Sequence, residues 1–255
     1  NTDPNRVLPI VIDNKRTGTG GDHYSISDSE IIDSPITLED IEKEAIKKAL
    51  KKFKGKRKEV AEELKAKGTA DAKLIDEVTV LFTDFKGFTQ LSEKLSPKEL
   101  VKEIHDCFSA FDHIMQKHGI EKIKTIGDSY MAAGGLPTAN STHPLDVVKA
   151  ALEIQQYMLE HKLKKEAAGQ LFFEIRIGVH TGPVVAGIVG IKKFAYDIWG
   201  DTVNIASRIE QASEPNKINI SSSTYELVKH KYPCLQRGLV AAKNKGSIEM
   251  YFVEF

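Results

Sequence analysis

The segment from Glu77 to Gln90, EVTVLFTDFKGFTQ, places an apolar run directly before an acidic residue and a glycine turn. The apolar residues between 78 and 82 predict a buried strand, which is followed by Asp84 and Gly87. A carboxylate at the end of a buried strand, beside backbone that glycine keeps open, is suited to holding Mg²⁺ and phosphate. An aspartate in this position is also an ordinary turn former, so the segment alone leaves both interpretations open.

A second segment, Ile120 to Pro137, predicts two strands joined by a turn at Gly127 and Asp128. Asp128 and Asp84 would then both lie near strand ends. Two such carboxylates suit a pair of metal ions that assist an in-line displacement at phosphorus. Gly-Asp is also a common tight-turn dipeptide, and spacing does not decide between these interpretations.

Four blocks of sequence occur in a familiar order: TDFKGFT, KIKTIGDSYMAAGGLP, RIGVHTGPVVAGIVG and YDIWGDTVNIASRIE. Together they resemble the class III nucleotide cyclases, the catalytic domains of adenylyl and guanylyl cyclases. The resemblance runs from about Val78 to the C-terminus. It implies an α+β fold, a ferredoxin-like split βαβ cyclase homology domain, over residues 76–255.

The local pattern agrees with this alternation of strands and helices. Ser96 and Glu99 form a predicted capping box that opens a helix to about His118. A second helix is predicted over about 144–161. Strands are predicted over 172–180 and 184–189, with an interruption at Gly182-Pro183.

The resemblance implies roles for the two aspartates. Asp84, Asp128 and the main chain of Phe85 correspond to the family's ligands for two Mg²⁺ or Mn²⁺ ions. These ions activate the ribose 3′-hydroxyl for attack on the α-phosphorus, and pyrophosphate leaves.

Asn204 and Arg208 correspond to the residues that brace the ribose and the pentavalent phosphorus from the partner subunit. Their spacing of four places both on one face of a helix, and arginine keeps its charge and can bind phosphate oxygens through two bonds. Without the flanking motifs, an arginine on the solvated face of an amphipathic helix would be the simpler interpretation.

The resemblance also assigns the purine contacts. Lys124 only donates hydrogen bonds, and an ionised Asp197 only accepts them. In the family, Lys with Asp is the adenylyl cyclase pairing, whereas guanylyl cyclases usually have Glu and Cys. We therefore expect an adenylate cyclase that converts ATP to 3′,5′-cyclic AMP and pyrophosphate, with guanylate cyclase as the alternative.

Further substrate contacts are expected in two turns. KNKGSIEMYF resembles the family's Lys-Gly-Lys-Gly turn, whose lysine reaches the triphosphate, although Asn244 stands where glycine is usual. Lys243 and Lys245 are both candidates for this contact. In the first metal turn, we predict that Phe88 and Thr89 bind substrate.

Family sites lie between two subunits, and this chain carries both halves of the site. A head-to-tail homodimer with two sites at the interface is therefore expected. A catalytically silent, cyclase-like dimerisation module is the alternative outside the enzymes, although such copies commonly lose one of the residues named above.

Composition agrees with an enzyme that acts on a small molecule. Lys+Arg and Asp+Glu balance at 36 each in 255 residues, which argues against nucleic acid or an acidic membrane as the main partner. No apolar run approaches the ~20 residues of a membrane span. The two cysteines, Cys107 and Cys234, show no disulfide framework and no metal-ligand spacing. We expect a cytoplasmic location, either alone or as the cytosolic part of a larger membrane or sensor protein.

The N-terminal part divides into two segments. Residues 1–36 are polar and predicted to be loosely ordered. Residues 37–75 read as a basic helical segment or connector, with eleven Lys or Arg against five Glu between 41 and 67. This segment resembles the first two helices of helix-turn-helix units. However, Gly68-Thr69-Ala70 breaks the pattern before a recognition helix, so DNA binding is not expected.

Overall fold

A computed structural model describes residues 73–189, 195–243 and 245–254. The predictions for residues 1–36 and for the helical segment up to residue 72 lie outside these ranges. The first strand begins at Lys73, so residues 73–75 are strand and not part of the helical connector to which we assigned them.

Within these three ranges the chain alternates between strands and helices. The elements are β1 (Lys73–Lys86), α1 (Phe88–Ser92), α2 (Pro97–Lys117), β2 (Glu121–Ile126), β3 (Ser129–Gly134), α3 (His143–Ala167), β4 (Glu174–Val189), β5 (Ala195–Trp199), α4 (Asp201–Gln211), β6 (Ile218–Ser221), α5 (Ser222–Val228), β7 (Cys234–Ala242) and β8 (Gly246–Val253).

The strands form one mixed sheet with the order β2-β3-β1-β4-β6-β8-β7, and β5 pairs with β4. Its first half is a β1-α2-β2-β3-α3-β4 unit in which β1 lies between β3 and β4 and is antiparallel to both. This arrangement is the predicted ferredoxin-like split βαβ fold, so the fold prediction is confirmed. In the described part of the chain, no helix combines the length and the apolarity needed to cross a membrane.

β1 separates two apolar cores because successive side chains point to opposite faces of the sheet. Leu81 and Phe85 belong to the larger core, which also contains buried residues of α2 and α3. Val80 and Phe82 belong to the smaller core, which also contains Ala206 of α4. Even-numbered positions near the end of β1 therefore face the side of the sheet that α4 covers.

The predicted start of α2 is confirmed. Ser96 Oγ accepts a hydrogen bond from the Glu99 backbone, and the Glu99 carboxylate accepts one from the Ser96 N–H at 2.9 Å. The helix ends at Lys117, and Gly119 follows with a φ of 64°, a conformation that glycine adopts without strain. Both ends of α2 are thus set by residues that were recognisable in the sequence.

The predicted interruption at Gly182-Pro183 is wrong, because β4 runs without a break through both residues. The ladder with β1 shifts register between Ile75 and Val78, so β1 carries a bulge where β4 carries Pro183. A bulge is one of the few places where a sheet accommodates a residue that lacks a backbone N–H. The irregularity is therefore in β1 and not in the strand that contains the proline.

The predicted end of the second long helix is also wrong, because α3 continues past His161 to Ala167. The last turns of α3 are polar, so the sequence shows no apolar stripe there that would predict a helix. Lys165 there bonds to Glu103 of α2 at 2.5 Å, and Lys162 bonds to Glu174 at 2.9 Å. These contacts hold the helix against elements that are distant in the sequence.

Candidate active site

The two predicted metal-binding aspartates lie together at one edge of the fold. Asp84 is near the end of β1, and Asp128 is in the turn between β2 and β3. Ser129, which follows Asp128, donates from Oγ to Asp84 Oδ2 at 2.8 Å. Gly87 follows with a φ of 69°, so the chain turns away from β1 directly after the carboxylate.

The electrostatics of this pair suit bound cations. Burial raises the pKa of Asp128, and the nearby Asp84 carboxylate raises it further. The Phe85 main chain lies close enough to this carboxyl group to lower its pKa in turn. Two partly buried carboxylates that repel each other form an oxygen-rich donor set of the kind that Mg²⁺ and Mn²⁺ prefer. The residues present therefore fit divalent metal.

Arg176 is a site residue that the sequence analysis missed. It lies directly opposite Asp84 in the ladder between β1 and β4, and its Nη2 donates to Asp84 Oδ1 at 2.9 Å. Directly opposite residues of antiparallel strands share a face of the sheet, so this contact follows from the register. Arg176 opens the RIGVHTG block, which was the available signal, but its pairing with Asp84 required knowledge of that register.

Glu210 of α4 completes this group and was also missed. Its Oε1 lies 3.0 Å from Arg176 Nε, and its side chain is 4% exposed. Burial raises the pKa of Glu210 to about 7, against the lowering effect of Arg176 and together with repulsion from Asp84 and Asp128. α4 comes this close because β4 has Gly178 beneath it. A Cβ built at Gly178 would lie 2.2 Å from the Glu210 backbone nitrogen.

Asn204 and Arg208 share one face of α4, as their spacing predicted, and this face is on the other side of the helix from Glu210. The buried side of this helix carries Thr202, Ala206, Ile209 and Glu210. Asn204 is exposed and Arg208 is half-buried. The Arg208 Nη1 donates to Gln211 Oε1 at 2.6 Å, within the same helix. These two side chains therefore point away from the sheet face on which Asp84 and Arg176 meet.

The structure brings Lys124 and Asp197 together. Lys124 lies on β2 and Asp197 on β5, and Lys124 Nζ donates to Asp197 Oδ2 at 2.5 Å. The Asp197 side chain is 14% exposed and the lysine 40% exposed. The other oxygen, Asp197 Oδ1, accepts from the Ile198 backbone N–H at 2.8 Å, which fixes the carboxylate. A donor and an acceptor thus stand side by side at an accessible position.

The remaining candidates fall in different environments. Lys245 Nζ donates to Asp201 Oδ1 at the start of α4, and Lys243 and Lys245 are both exposed. The Phe88 ring lies 5.4 Å from the Phe173 ring in the aromatic part of the larger core, and Thr89 is exposed. The structure thus gives Phe88 a packing role, and substrate binding by Phe88 and Thr89 stays a prediction.

Residues 70–255 match the family described as adenylate and guanylate cyclase catalytic domain. The chain belongs to this family. The candidate residues for metal, purine and phosphate binding all lie within the matched part of the chain. A second match, to the bacterial regulatory proteins of the Fis family, covers residues 37–65.

Known relatives of this cyclase domain include both nucleotide types. Human guanylyl cyclase C is 41% identical over 198 residues, which are 76% of this chain and 18% of that protein. The guanylate cyclase domain of RhGC from Catenaria anguillulae, crystallised with GTP, is 36% identical with a TM-score of 0.67 over 72% of this chain and 98% of that one. The adenylyl cyclase CyaB from P. aeruginosa is 30% identical with a TM-score of 0.69, over 72% and 96%.

Proposed function

We propose that this cyclase domain is an adenylate cyclase, which forms 3′,5′-cyclic AMP and pyrophosphate from ATP. The observation that carries the proposal is the contact between Lys124 and Asp197. The Watson–Crick edge of adenine offers a ring-nitrogen acceptor beside an amino donor. An ammonium and a carboxylate side by side are complementary to that edge.

The guanine edge reverses this pattern, since it presents a ring N–H and a carbonyl oxygen. A swapped contact pattern could pair Lys124 with the carbonyl and Asp197 with the N–H, so donor counting alone does not exclude GTP. The resemblance of the Lys–Asp pair to adenylyl cyclases supports ATP. Relatives such as human guanylyl cyclase C support guanylate cyclase as the second candidate.

The direction of the side chains on α4 supports a site that is shared between two subunits. Glu210 faces the sheet and contacts Arg176, which holds Asp84. Asn204 and Arg208 lie on the outward side of the same helix. A rigid helix cannot turn both sides towards one substrate, so the outward pair would serve a second copy of the chain.

In the proposed reaction, Asp84, Asp128 and the Phe85 carbonyl would hold two Mg²⁺ or Mn²⁺ ions. When bound, these ions supply Lewis-acid activation of the 3′-hydroxyl and neutralise phosphate charge. Asn204 from the partner copy orients the ribose, and Arg208 binds the oxygens around the α-phosphorus as their charge grows. Arg176 keeps the Asp84 carboxylate oriented throughout.

Nucleotide choice is tested with purified protein, Mn²⁺ and either ATP or GTP. We expect ATP to be preferred by at least about tenfold in kcat/KM, a difference of ~1.4 kcal/mol in transition-state binding. The double change Lys124→Glu with Asp197→Cys should shift the preference towards GTP. Lys122→Glu is the matched control, because Lys122 lies on the same strand but pairs with Asp112 of α2 at 2.8 Å. Comparable turnover of GTP by the unmodified protein would overturn the proposal, and a clear preference for GTP would identify a guanylate cyclase.

The shared site is tested by mixing two inactive variants. Asp84→Ala lacks a metal ligand and Arg208→Ala lacks the phosphate contact, so each homodimer should be nearly inactive. A heterodimer of the two would contain one intact site, and the mixture should regain activity. No recovery, in a sample where heterodimers are demonstrated by differently tagged chains, would contradict the shared arrangement.

DNA binding by residues 37–65 is a second candidate function, which the Fis-family match and the basic composition of that segment favour. It is tested by fluorescence anisotropy of the full chain with labelled duplex DNA at several salt concentrations. Binding that weakens steeply with salt, and that a chain starting at residue 70 lacks, would support it. Equal binding by both chains would reject it.

A further inference from the structure

A group of three metal-ligating side chains lies between α2 and α3, outside the candidate active site. Glu103 and Cys107 are one helical turn apart on α2, and His161 is on α3. Their ligand atoms all lie within 4.8 Å of one another. Glu103 and Cys107 are buried, and the His161 side chain is 14% exposed. Sequence spacing did not reveal this group, because the histidine comes from a different helix.

The donor atoms of this group select the metal. A thiol, an imidazole and a carboxylate are the ligands that Zn²⁺ takes in proteins, whereas Mg²⁺ and Ca²⁺ require oxygen. Ligand atoms around a tetrahedral Zn²⁺ are about 3.3–3.7 Å apart for bonds of about 2.0–2.3 Å. Glu103 Oε1 and His161 Nε2 are 2.5 Å apart. They would have to separate by roughly 0.8–1.2 Å to admit the ion.

Neighbouring residues already orient two of the three ligands. Lys165 Nζ donates to Glu103 Oε2 at 2.5 Å, which leaves Oε1 directed towards His161. The Tyr157 ring stacks on the His161 ring, with centroids 5.8 Å apart and planes 19° apart. Supporting contacts of this kind fix the direction of metal ligands and strengthen binding.

The group is not suited to act as a nucleophile. Burial raises the pKa of the Cys107 thiol to about 12, and the Glu103 charge contributes in the same direction. The free thiol is therefore neutral and unreactive at physiological pH. A metal ion changes this, since coordination removes the thiol proton to solvent.

One of the three ligands lies at a cleft. The cleft has a volume of about 480 Å³ and is lined by Glu103 and Lys165, together with Lys94, Glu99 and Lys102. Three protein ligands leave the fourth position of a tetrahedral Zn²⁺ open, and water is the usual ligand there.

We propose that Glu103, Cys107 and His161 bind one Zn²⁺ ion, with water as the fourth ligand, and that this ion joins α2 to α3. The site is separate from Asp84 and Asp128. It takes a soft, thiolate-binding metal, whereas the active site takes hard, oxygen-binding ones. Zn²⁺ bound between the two helices stabilises the folded chain over the unfolded one.

The test uses the full chain after treatment with a chelator and then with Co²⁺ as a spectroscopic substitute for Zn²⁺. We expect a near-ultraviolet absorption band from thiolate-to-Co²⁺ charge transfer, which Zn²⁺ removes by displacement. Cys107→Ser should abolish the band. Cys234→Ser is the matched control and should keep it, since Cys234 lies on β7, away from the group.

A second variant covers the case in which Cys107→Ser fails to fold. His161→Gln leaves the thiol in place and should weaken Zn²⁺ binding at least about tenfold, measured by competition with a chromogenic chelator. Asp84→Ala should leave Zn²⁺ binding at this site unchanged. Absence of the band in the unmodified protein, its persistence in Cys107→Ser, or equal Zn²⁺ affinity in His161→Gln would each overturn the proposal.

Discussion

Asp84 and Arg176 face each other across the ladder between β1 and β4, joined by a hydrogen bond of 2.9 Å. The same guanidinium lies 3.0 Å from Glu210, on the helix that also bears Arg208. In the proposed head-to-tail dimer, Asp84 and Arg208 of one chain belong to different sites. Arg176 therefore links Asp84 to the buried side of the helix whose outward side carries Arg208.

The first prediction concerns this contact. Arg176→Met removes the donor that orients Asp84 and leaves the buried Glu210 without its cation. We expect kcat to fall about 10–100-fold, with a higher Mn²⁺ concentration needed for half-maximal rate. The measurement is the rate as a function of Mn²⁺ at saturating ATP.

Two further variants interpret this result. Arg176→Lys keeps a charge but loses the fork that reaches both carboxylates, so it should recover only part of the activity. Arg237→Met is the matched control, because Arg237 is similarly buried but donates to the Ala212 carbonyl. An unchanged Mn²⁺ dependence in Arg176→Met would show that Arg176 does not position Asp84.

The second prediction concerns the packing of α4. A Cβ at Gly178 would lie 2.2 Å from the backbone nitrogen of Glu210 and 2.4 Å from its Cα, so Gly178→Ala must push the helix away. We expect a loss of roughly 1–3 kcal/mol or more in the free energy of unfolding, together with loss of activity, because α4 carries Asn204 and Arg208. Urea denaturation measures the first and cyclic nucleotide formation the second.

Gly182→Ala is the comparison for this variant. Its Cβ would meet the Thr202 Oγ1 at 2.7 Å, and a side chain yields more easily than a helix backbone. It should cost less stability than Gly178→Ala. If Gly178→Ala were as stable as the unmodified protein, α4 would not lie as close to β4 as described.

The third prediction concerns the pH dependence of stability. His180 is buried, its Nδ1 lies 2.7 Å from Ser221 Oγ, and burial lowers its pKa from 6.5 to about 4. Between pH 6.5 and about 4, the unfolded chain binds a proton at this residue that the folded chain does not. Stability is therefore lost as pH falls through this window, by about 3 kcal/mol in total.

The change His180→Asn removes this titration while keeping a polar partner for Ser221. We expect its free energy of unfolding to fall less steeply with decreasing pH than that of the unmodified protein, in urea titrations with chelator present. His105→Asn is the control at an exposed position and should follow the unmodified protein. Parallel pH curves for His180→Asn and the unmodified protein would contradict the prediction.

Local features were predictable because short segments determine them. The turn after Asp84, the hairpin at Gly127 and the capping box of Ser96 and Glu99 are encoded within a few residues each. The predicted strands and helices, with the family resemblance, gave the split βαβ fold, whereas the strand order of the whole sheet comes from the structure.

Contacts between distant segments were not predictable in the same way. Arg176 meets Asp84 only through the register of two strands that are far apart in the sequence. Because Glu210 is charged, the sequence predicts that it lies at the surface. The close approach of α4 over Gly178 buries it instead. The zinc-ligand group depends equally on how α2 and α3 pack. Secondary structure alone carries none of this information.

The fourth prediction separates the two candidate phosphate-binding lysines. Lys245 bonds to Asp201, the first residue of α4, and is thereby held next to the helix that carries Asn204 and Arg208. Lys243 is exposed, on the other side of residue 244. A lysine held beside the phosphate-binding helix loses less side-chain entropy when it binds a triphosphate. We therefore expect Lys245→Ala to raise the KM for ATP about tenfold, and Lys243→Ala to change it less than about twofold.

Steady-state kinetics of the two variants over a range of ATP concentrations measures both effects. The variant Asp201→Asn weakens the bond that holds Lys245, so its KM for ATP should fall between those of the two lysine variants. A larger effect of Lys243→Ala would assign the contact to that residue and leave Lys245 with its bond to Asp201 alone.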